Sequence, residues 1–239
     1  MSLFLFTDFG SSDIYAGQVR AVLQKLAPRQ PVIDLLHDAP PFEVKASAHL
    51  LAALLARVPG GSVTMAVVDP GVGSSREAVA LLVNGKWLVG PDNGLLSVSA
   101  ARAKRQEVYQ IGWQPKELSD SFHGRDLFAP VAAMLARGAR KSAKLRRSTL
   151  SVSFGADDLH EVIYVDHFGN VMTGLRASTL QPLRALRLNG RTIQHARTFS
   201  EVSPGQLFWY ENSIGLVEVA ANSASAQRIL GAGVGCVIE

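Results

Sequence analysis

The chain has 239 residues, enough to bury a full hydrophobic core in one large domain or two smaller ones. Apolar residues make up 47% of it and charged residues 18%, and no apolar run approaches the roughly 20 residues of a membrane-spanning helix. A single cysteine, Cys236, excludes an intramolecular disulfide and a cysteine-rich zinc site. The N-terminal segment is short, lacks a basic leader and reaches Asp8 at once, so we expect a cytoplasmic protein with no membrane partner.

The net charge of +4 comes from 24 basic and 20 acidic residues, and much of the excess lies in one segment. Its basic residues are Arg137, Arg140, Lys141, Lys144, Arg146 and Arg147. They have no aromatic residues between them for base stacking, and a basic run at a helix end is more often a solvated face. We therefore expect no nucleic-acid partner; a nucleic-acid-binding protein would instead show a strongly salt-dependent affinity.

Short apolar runs alternate with helical patterns over residues 1–150. Strands are predicted at 3–6, 32–36 and 63–68, with one helix between Asp13 and Pro28 and another over 44–57. Such alternation predicts an α/β domain with a mostly parallel sheet and helices on its faces. The strands at 78–83 and 86–89 are joined by Asn84-Gly85, a strong hairpin signal, so an antiparallel pair should interrupt the parallel order.

Beyond residues 148–158 the helical periodicity fades, and short strands with turns take its place. Candidate strands lie at 162–165, 185–188, 191–195, 206–210, 216–219 and 235–238, and Asn189-Gly190 marks a further hairpin. We therefore predict two domains, an α/β domain over residues 1–150 and a smaller C-terminal β-barrel domain over residues 155–239.

The first candidates for a functional site are polar residues that follow predicted strands. Asp69 comes directly after the strand at 63–68, at the start of a tight turn that contains Gly71 and Gly73, and Arg76 follows it. In an open α/β sheet the crevice beyond the carboxyl ends of the strands is the usual ligand site. The alternative is a plain turn in which Asp69 caps its own backbone and Arg76 is solvated.

Asp8 is placed in the same way after the first strand, and His123 lies just before a predicted helix. A histidine near the positive end of a helix holds a proton less readily, which suits a neutral base or a hydrogen-bond partner. A lone histidine is more often structural, however, and Asp126 could equally pair with Arg125 at the start of the helix. Both interpretations stay open at this point.

Several common motifs are missing from the chain. A GxxxxGK[ST] phosphate loop, the third glycine of a dinucleotide fingerprint and a GxSxG nucleophile turn are all absent. The Asp-Phe-Gly triplet at 8–10 matches a kinase motif, but the kinase glycine-rich loop and strand lysine do not accompany it. The His and Asp residues at 37–38 and at 123–126 are too sparse for a zinc site, so we expect no metal and no phosphate-bearing cofactor.

A set of short motifs runs through essentially the whole chain. They are Thr7-Asp8-Phe9-Gly10, Val68-Asp69-Pro70-Gly71-Val72-Gly73, Arg76, Gly90-Pro91-Asp92-Asn93-Gly94, Phe122-His123-Gly124-Arg125-Asp126, Asp166-His167-Phe168-Gly169-Asn170 and Asn212-Ser213. In this order they resemble the S-adenosyl-L-methionine hydroxide adenosyltransferase family, which is related to the bacterial fluorinase and chlorinase. The resemblance implies an N-terminal α/β domain, a C-terminal β-barrel and a homotrimer with its sites between subunits.

The resemblance also implies a reaction, the cleavage of S-adenosylmethionine by water or hydroxide at the ribose C5′ to give adenosine and L-methionine. The leaving group is a neutral thioether that departs from a sulfonium, so a general acid is not required and a positioned oxygen nucleophile should suffice. Attack by hydroxide on a cation cancels charge, and a water-poor pocket should therefore favour the transition state. We expect S-adenosylmethionine as substrate and no cofactor.

The site residues follow from the resemblance, position by position. Asp69, Arg76 and His123 would hold and activate the water, with Arg76 supplying positive charge; which of Asp69 and His123 accepts the proton stays open. Asp8 would grip the ribose hydroxyls, Asp166 and Ser213 the methionine ammonium and its surroundings, and Asn170 the adenine side. Asp92, Asn93 and Arg125 match family motifs and are expected to have structural or supporting roles.

Two other functions compete with hydrolysis. A halide-using relative would attack the same carbon with fluoride or chloride, but such relatives replace the water-activating residues and carry an extra loop after the strand that contains the arginine. Here that connection is only Asn84-Gly85. A non-catalytic sensor of S-adenosylmethionine or adenosine would have no use for a set of residues that holds water.

Overall fold

A computed structural model describes residues 1–181 and 184–239 of the chain. The chain divides into two compact units, Met1–Ala156 and Asp157–Glu239. The first combines helices with a sheet, and the second is built mainly of strands. Among the described residues, no helix has both the length and the apolar character needed to cross a membrane.

The first unit, all of whose residues are described, contains one sheet of seven strands flanked by helices. The strands are β1 (Leu3–Thr7), β2 (Val32–Leu36), β3 (Val63–Val67), β4 (Ala78–Val83), β5 (Lys86–Pro91), β6 (Gln106–Ile111) and β7 (Leu145–Arg147). The helices are α1 (Ile14–Leu26), α2 (Val44–Leu55), α3 (Ser97–Ala101) and α4 (Ala129–Ala136). A π-helical turn, Gly124–Phe128, leads into α4, and a short 3-10 turn occupies Arg140–Ala143.

The prediction of a mostly parallel sheet is not confirmed, because the sheet is mixed. Its strand order is β2-β1-β3-β5-β4-β6-β7, and the pairs β1–β2, β1–β3 and β3–β5 are parallel. The remaining pairs β4–β5, β4–β6 and β6–β7 are antiparallel. The Asn84-Gly85 hairpin, with φ angles of 48° and 79°, joins β4 to β5, and the later strands then add to the free edge of β4.

The carboxyl ends of β1 and β3 lie side by side in the parallel half of the sheet. Both strands are buried along their whole length, and their register pairs Thr7 with Val67. Consequently Asp8 and Asp69, which follow these two strands, leave the sheet at the same edge. The backbone N–H of Asp8 donates to the carbonyl of Val67 at 3.3 Å, which fixes the two chain segments to each other.

Gly90 on β5 shows how closely this part of the sheet is packed. A Cβ atom at Gly90 would overlap the backbone carbonyl oxygen of Ala66 on β3, which cannot move without breaking the ladder. We expect Gly90→Ala to lower the free energy of unfolding by at least about 1–3 kcal/mol, because the overpacked strands must separate. Urea denaturation measures this, with Gly17→Ala as the control.

Gly17 is a matched control because it lies in α1 and has nothing within 4 Å of an added Cβ atom. Gly17→Ala should stabilise the protein by about 0.5–1 kcal/mol, since alanine is the better helix former. Equal unfolding midpoints for the two variants would contradict this account of the sheet.

The second unit contains a six-stranded sheet in the order β10-β11-β12-β13-β9-β8. Its elements are β8 (Leu159–Val165), β9 (Val171–Arg176), β10 (Leu186–Leu188), β11 (Arg191–His195), β12 (Leu207–Glu211), β13 (Leu216–Ala221) and α5 (Ala226–Leu230), with 3-10 turns at Ala177–Thr179 and Phe199–Glu201. The sheet curls into a half-barrel. The strand predicted at 235–238 is not a continuous strand. Val237 and Ile238 form isolated bridges with Glu161 on β8 and Leu188 on β10, and further backbone hydrogen bonds join this segment to both edge strands.

Candidate active site

The structure brings Asp69, Arg76 and His123 together at the carboxyl edge of the first sheet. Arg76 Nε donates to Asp69 Oδ1 at 2.8 Å, and Arg76 Nη2 contacts both Asp69 Oδ2 and, at 3.1 Å, His123 Nδ1. The side chains of Arg76 and Asp69 are only 10% and 4% exposed. The pair is therefore a buried, bidentate ion pair, and the alternative of a solvated Arg76 is ruled out by its burial.

The contact with Arg76 fixes the protonation state of His123. A guanidinium group only donates hydrogen bonds, so Nδ1 of His123 must accept, and the neutral ring carries its proton on Nε2. Burial and the charge of Arg76 both lower the pKa of His123, and the carboxylates of Asp69, Asp120 and Asp126 oppose them. His123 is thus a neutral group whose Nε2–H is a hydrogen-bond donor.

The turn after Asp69 fits closely against the segment that carries His123. Gly73 has a φ of 82°, and a Cβ atom there would lie 2.7 Å from the backbone oxygen of Asp120. Glycine is therefore required at this position for both its conformation and its size. The guanidinium carbon of Arg76 also lies 5.3 Å from the ring centroid of Phe128, at the end of the π-helical turn. This cation–π contact stabilises the positive charge of Arg76.

Asp8 is the second carboxylate at this edge and is half-buried. A cavity of about 90 Å³ is lined by Asp8, Asp69 and His123 together with Phe9 and Phe42, among others. Burial raises the pKa of Asp8; the backbone N–H groups of Asp8 and Phe42 oppose this, and the charge of Asp69 adds to it. Phe42 takes a left-handed φ of 67°, a strained conformation for a non-glycine residue that brings its N–H to the carboxylate.

A larger cavity of about 510 Å³ adjoins the first one and shares Asp8, Phe9 and Phe122 with it. The rings of Phe9 and Phe122 pack edge to face, with centroids 5.6 Å apart. Asp8 and this aromatic pair therefore stand between two adjoining spaces. A ligand that contacts Asp8 can therefore extend into both cavities.

Neighbouring polar residues hold the site in shape. Arg125 pairs with Asp126 at 2.6 Å, and Asp126 Oδ2 also accepts from the backbone N–H of Ser119 at 3.1 Å, so these two residues close the turn around His123.

Asn93 and Asp92 hold neighbouring backbone segments. Asn93 Nδ2 donates to the carbonyl of Val68 at 2.9 Å, directly before Asp69. Asp92 accepts from the backbone N–H of Ser151, at 2.9 Å for its nearer oxygen. Asp92, Asn93 and Arg125 thus each contact the backbone or a neighbouring side chain, and Arg125 also lines the larger cavity.

The second unit brings Asp166 and Asn170 together. Asp166 Oδ1 accepts from the backbone N–H groups of Phe168 and Asn170, and its Oδ2 accepts from Asn170 Nδ2 at 2.9 Å. Asn170 is buried, and because its amide nitrogen donates to Asp166, its amide oxygen is an acceptor. Ser213 lies in the exposed turn between β12 and β13.

A buried carboxylate beneath this turn is a feature that the sequence analysis missed. Glu218 on β13 is 3% exposed and accepts from Tyr210 Oη at 2.5 Å and from Asn212 Nδ2 at 2.9 Å. Asn212 Oδ1 in turn accepts from the backbone N–H groups of Ile214 and Leu216, on either side of the tip of the turn. Burial and the Glu218 carboxylate raise the pKa of Tyr210 far above its usual range. The sequence signal was a lone acidic residue within the apolar run Leu-Val-Glu-Val-Ala-Ala.

Within residues 1–181 and 184–239 there is no group of three or more His, Cys, Asp or Glu side chains arranged to hold a metal ion. The described site contains a neutral histidine, a buried arginine–aspartate pair and a second, half-buried carboxylate.

Several known proteins resemble this chain over nearly its full length. Two of them are named (R)-S-adenosyl-L-methionine hydrolase. The protein from Salinispora arenicola is 42% identical, and the match covers 94% of this chain and 91% of that protein. The protein from Salinispora tropica is 40% identical, and the match covers 94% of this chain and 92% of that protein. A fluorinase from Nocardia brasiliensis is more distant, at 23% identity over 92% of this chain and 89% of its own. The solved structure of a conserved Thermotoga maritima protein, 32% identical, matches with a TM-score of 0.89 over 100% of this chain and 99% of that one.

Family-level similarity covers both structural units. Residues 3–145 match the SAM hydroxide adenosyltransferase N-terminal domain, and residues 160–239 match the corresponding C-terminal domain. Because both family domains match, proteins named S-adenosyl-L-methionine hydrolase are similar over nearly the full length, and the fold is shared, the chain belongs to the SAM hydroxide adenosyltransferase family.

Proposed function

We propose that this chain is an S-adenosyl-L-methionine hydrolase, which cleaves its substrate by attack of water or hydroxide at the ribose C5′ and releases adenosine and L-methionine. The observation that carries this proposal is the buried cluster of Asp69, Arg76 and His123 beside a small cavity that also reaches Asp8. The similar proteins named hydrolases, at 40% and 42% identity, support the same reaction.

The tautomer of His123 suggests which role each of Asp69, Arg76 and His123 has in activating the water. Its Nε2–H is a donor, so it would hold the water oxygen by a hydrogen bond instead of removing a proton. We propose that Asp69 accepts the proton as the C5′–O bond forms and the C5′–S bond breaks, with the sulfur keeping the electron pair as a neutral thioether. Arg76 would stabilise hydroxide character on the attacking oxygen, since it stays protonated throughout.

The substrate-binding roles follow the same logic. Asp8 would accept hydrogen bonds from the ribose hydroxyls, and the negative charge of Asp166, with Ser213, would bind the methionine ammonium. Asn170 gives its amide N–H to Asp166, so its amide oxygen would accept from the exocyclic amine of adenine. These residues lie in two units of the chain, and we propose a cytoplasmic homotrimer, with sites between subunits and no cofactor, as the family resemblance implies.

Product analysis tests the proposed reaction. Purified protein is incubated with each sulfonium epimer of S-adenosylmethionine, with and without excess chloride or fluoride, and the products are separated by chromatography. We expect adenosine and methionine, no effect of halide, a preference for the epimer given in the names of the relatives, and loss of most activity in His123→Ala. Formation of 5′-halo-adenosine would instead indicate a halide-using enzyme, and binding without turnover would indicate a sensor.

The protonation state of His123 predicts the acidic side of the pH profile. Its pKa is lowered, so the neutral ring persists below the ordinary value of about 6.5, and activity should fall only when the pH drops through that lower pKa. Protonation would put an N–H on Nδ1 opposite the guanidinium of Arg76 and expel one of them. We expect kcat/KM to decline on acidification with a midpoint below about 6.5.

Asp120→Asn provides the control for this profile. The carboxylate of Asp120 raises the pKa of His123, so removing its charge should move the acidic decline to still lower pH, most clearly at low ionic strength. A decline centred above about 6.5, or one that moves upward in Asp120→Asn, would contradict the assignment of a neutral His123.

A further inference from the structure

His37 is a buried histidine at the carboxyl edge of the first sheet that has no part in the proposed chemistry. It lies directly after β2, is 5% exposed and does not line either of the two cavities around Asp8. The sequence analysis considered it only as a member of a metal site, and no such site forms among the described residues. Burial of an imidazole with its polar nitrogens is costly without partners, so its contacts indicate what it does.

The two ring nitrogens of His37 face different partners. Nδ1 lies 2.7 Å from Thr7 Oγ1, and Nε2 lies 3.0 Å from Asp34 Oδ1, close enough for an ion pair although not aligned as a hydrogen bond. Arg20 contacts the other oxygen of Asp34 at 3.3 Å. The carboxylate beside Nε2 favours a proton on that nitrogen, so Nδ1 is the acceptor and the Thr7 hydroxyl is the donor.

An irregularity in β2 makes this arrangement possible. The register with β1 shifts so that Leu5 pairs with Asp34 and Phe6 with Leu36, which leaves one residue of β2 unpaired. Residues three apart on a regular strand point to opposite faces of the sheet, but the extra residue allows Asp34 and His37 to meet.

The Thr7 hydroxyl connects His37 to the backbone segment that carries Asp8. Thr7 Oγ1 accepts from the backbone N–H of Phe9 at 3.3 Å, and the backbone N–H of Gly10 donates to the carbonyl of His37 at 2.7 Å. Asp8 thus lies between Thr7 and Phe9 in the sequence, and both neighbours belong to one hydrogen-bonded chain that ends at His37, whose Nε2 lies beside Asp34. A shift of the backbone segment that carries Asp8 would require breaking these hydrogen bonds, so they fix the point from which the Asp8 carboxylate extends.

We propose that His37, through Thr7, is a positioning residue that aims the Asp8 carboxylate at the ribose hydroxyls. The inference rests on the proposed function of Asp8 in ribose binding. It predicts a specific defect: loss of the His37–Thr7 contact should weaken the recognition of a nucleoside's 2′- and 3′-hydroxyls and leave the rest of the nucleoside's binding energy in place.

The test compares the affinities of the full-length protein for adenosine and for 2′,3′-dideoxyadenosine by calorimetry. Thr7→Val removes the hydroxyl with almost no change in shape, and His37→Gln keeps a polar group near Asp34 but does not reach Thr7. Each should lose about tenfold in adenosine affinity and less than about twofold in dideoxyadenosine affinity. Because both act on one chain of contacts, the double variant should be no worse than either single one.

Two controls separate positioning from general damage. Thr7→Ser restores the hydroxyl and should stay within about threefold of wild-type affinity for adenosine. His49→Asn removes a histidine of similar burial, 2% exposed, on α2 in the same unit, and should leave the ratio of the two affinities unchanged. The carbonyl of His37 still accepts from Gly10 in every variant, so the segment keeps one of its anchors.

The possible outcomes are distinct. A loss of adenosine affinity confined to Thr7→Val and His37→Gln, without a matching loss for dideoxyadenosine, supports the inference. Equal losses for both ligands, or none, overturn it. If Asp8→Asn itself leaves the ratio unchanged, the inference falls with the ribose role of Asp8, whereas hydrolysis of S-adenosylmethionine, measured separately by product analysis, would still stand.

Discussion

Asp69→Asn is expected to reduce kcat by about 10²- to 10⁴-fold, because the proposed proton acceptor is replaced by a neutral amide of the same shape. The amide oxygen can still accept one hydrogen bond from Arg76, but the amide nitrogen then faces the other guanidinium N–H, so the variant should be less stable, and kinetics are measured well below its unfolding transition. KM should change little, since Asp69 is proposed to act on the water and not on the substrate. Steady-state kinetics with S-adenosylmethionine at the pH optimum measure both quantities.

Asp120→Asn is the matched control for this substitution. It removes a carboxylate that influences His123 from nearby but is exposed and outside the ion pair, so kcat at the optimum should stay close to that of the wild type. If Asp69→Asn kept more than about a tenth of wild-type kcat, the assignment of Asp69 as proton acceptor would be wrong.

Arg76→Met is expected to be the most destabilising change at the site, lowering the free energy of unfolding by about 3–5 kcal/mol. Methionine fills similar space but leaves the Asp69 carboxylate buried without its only bidentate partner among the described residues. His123 also loses the donor that fixes its tautomer. Urea denaturation measures the loss, and activity should disappear with it.

The double variant Asp69→Asn with Arg76→Met shows whether an orphaned charge is the cause. Removing the charge of Asp69 should restore a large part of the stability lost in Arg76→Met, while activity stays absent. Additive losses in the double variant would mean that packing, for example against Phe128, and not the unpaired carboxylate, explains the effect.

Much of the fold could be predicted from the sequence because its signals are local. Alternating apolar runs and helical patterns predict the α/β unit, and Asn84-Gly85 predicts the hairpin that the structure contains. The mixed character of the sheet was underestimated, since the direction in which β6 and β7 join the free edge of β4 depends on long-range pairing. No local pattern in those strands encodes that choice.

The contacts within the candidate site were less predictable than the fold, for a related physical reason. Motifs identified Asp69, Arg76 and His123, and the structure brings them into contact. The tautomer of His123 could not be predicted, because it depends on which nitrogen faces Arg76 across 47 residues of sequence. Glu218 and His37 were missed as supporting residues for the same reason, since their partners become visible only when strands are placed side by side.

Incubation with S-adenosylmethionine in water enriched in oxygen-18 tests the central claim, attack of water at C5′, most directly. Mass spectrometry of the nucleoside product then shows where the new oxygen is. We expect adenosine that carries one heavy oxygen at its 5′-hydroxyl, and methionine that carries none from the cleavage. Adenosine without the label, or a nucleoside with a 5′ group other than hydroxyl, would contradict hydrolysis by this site.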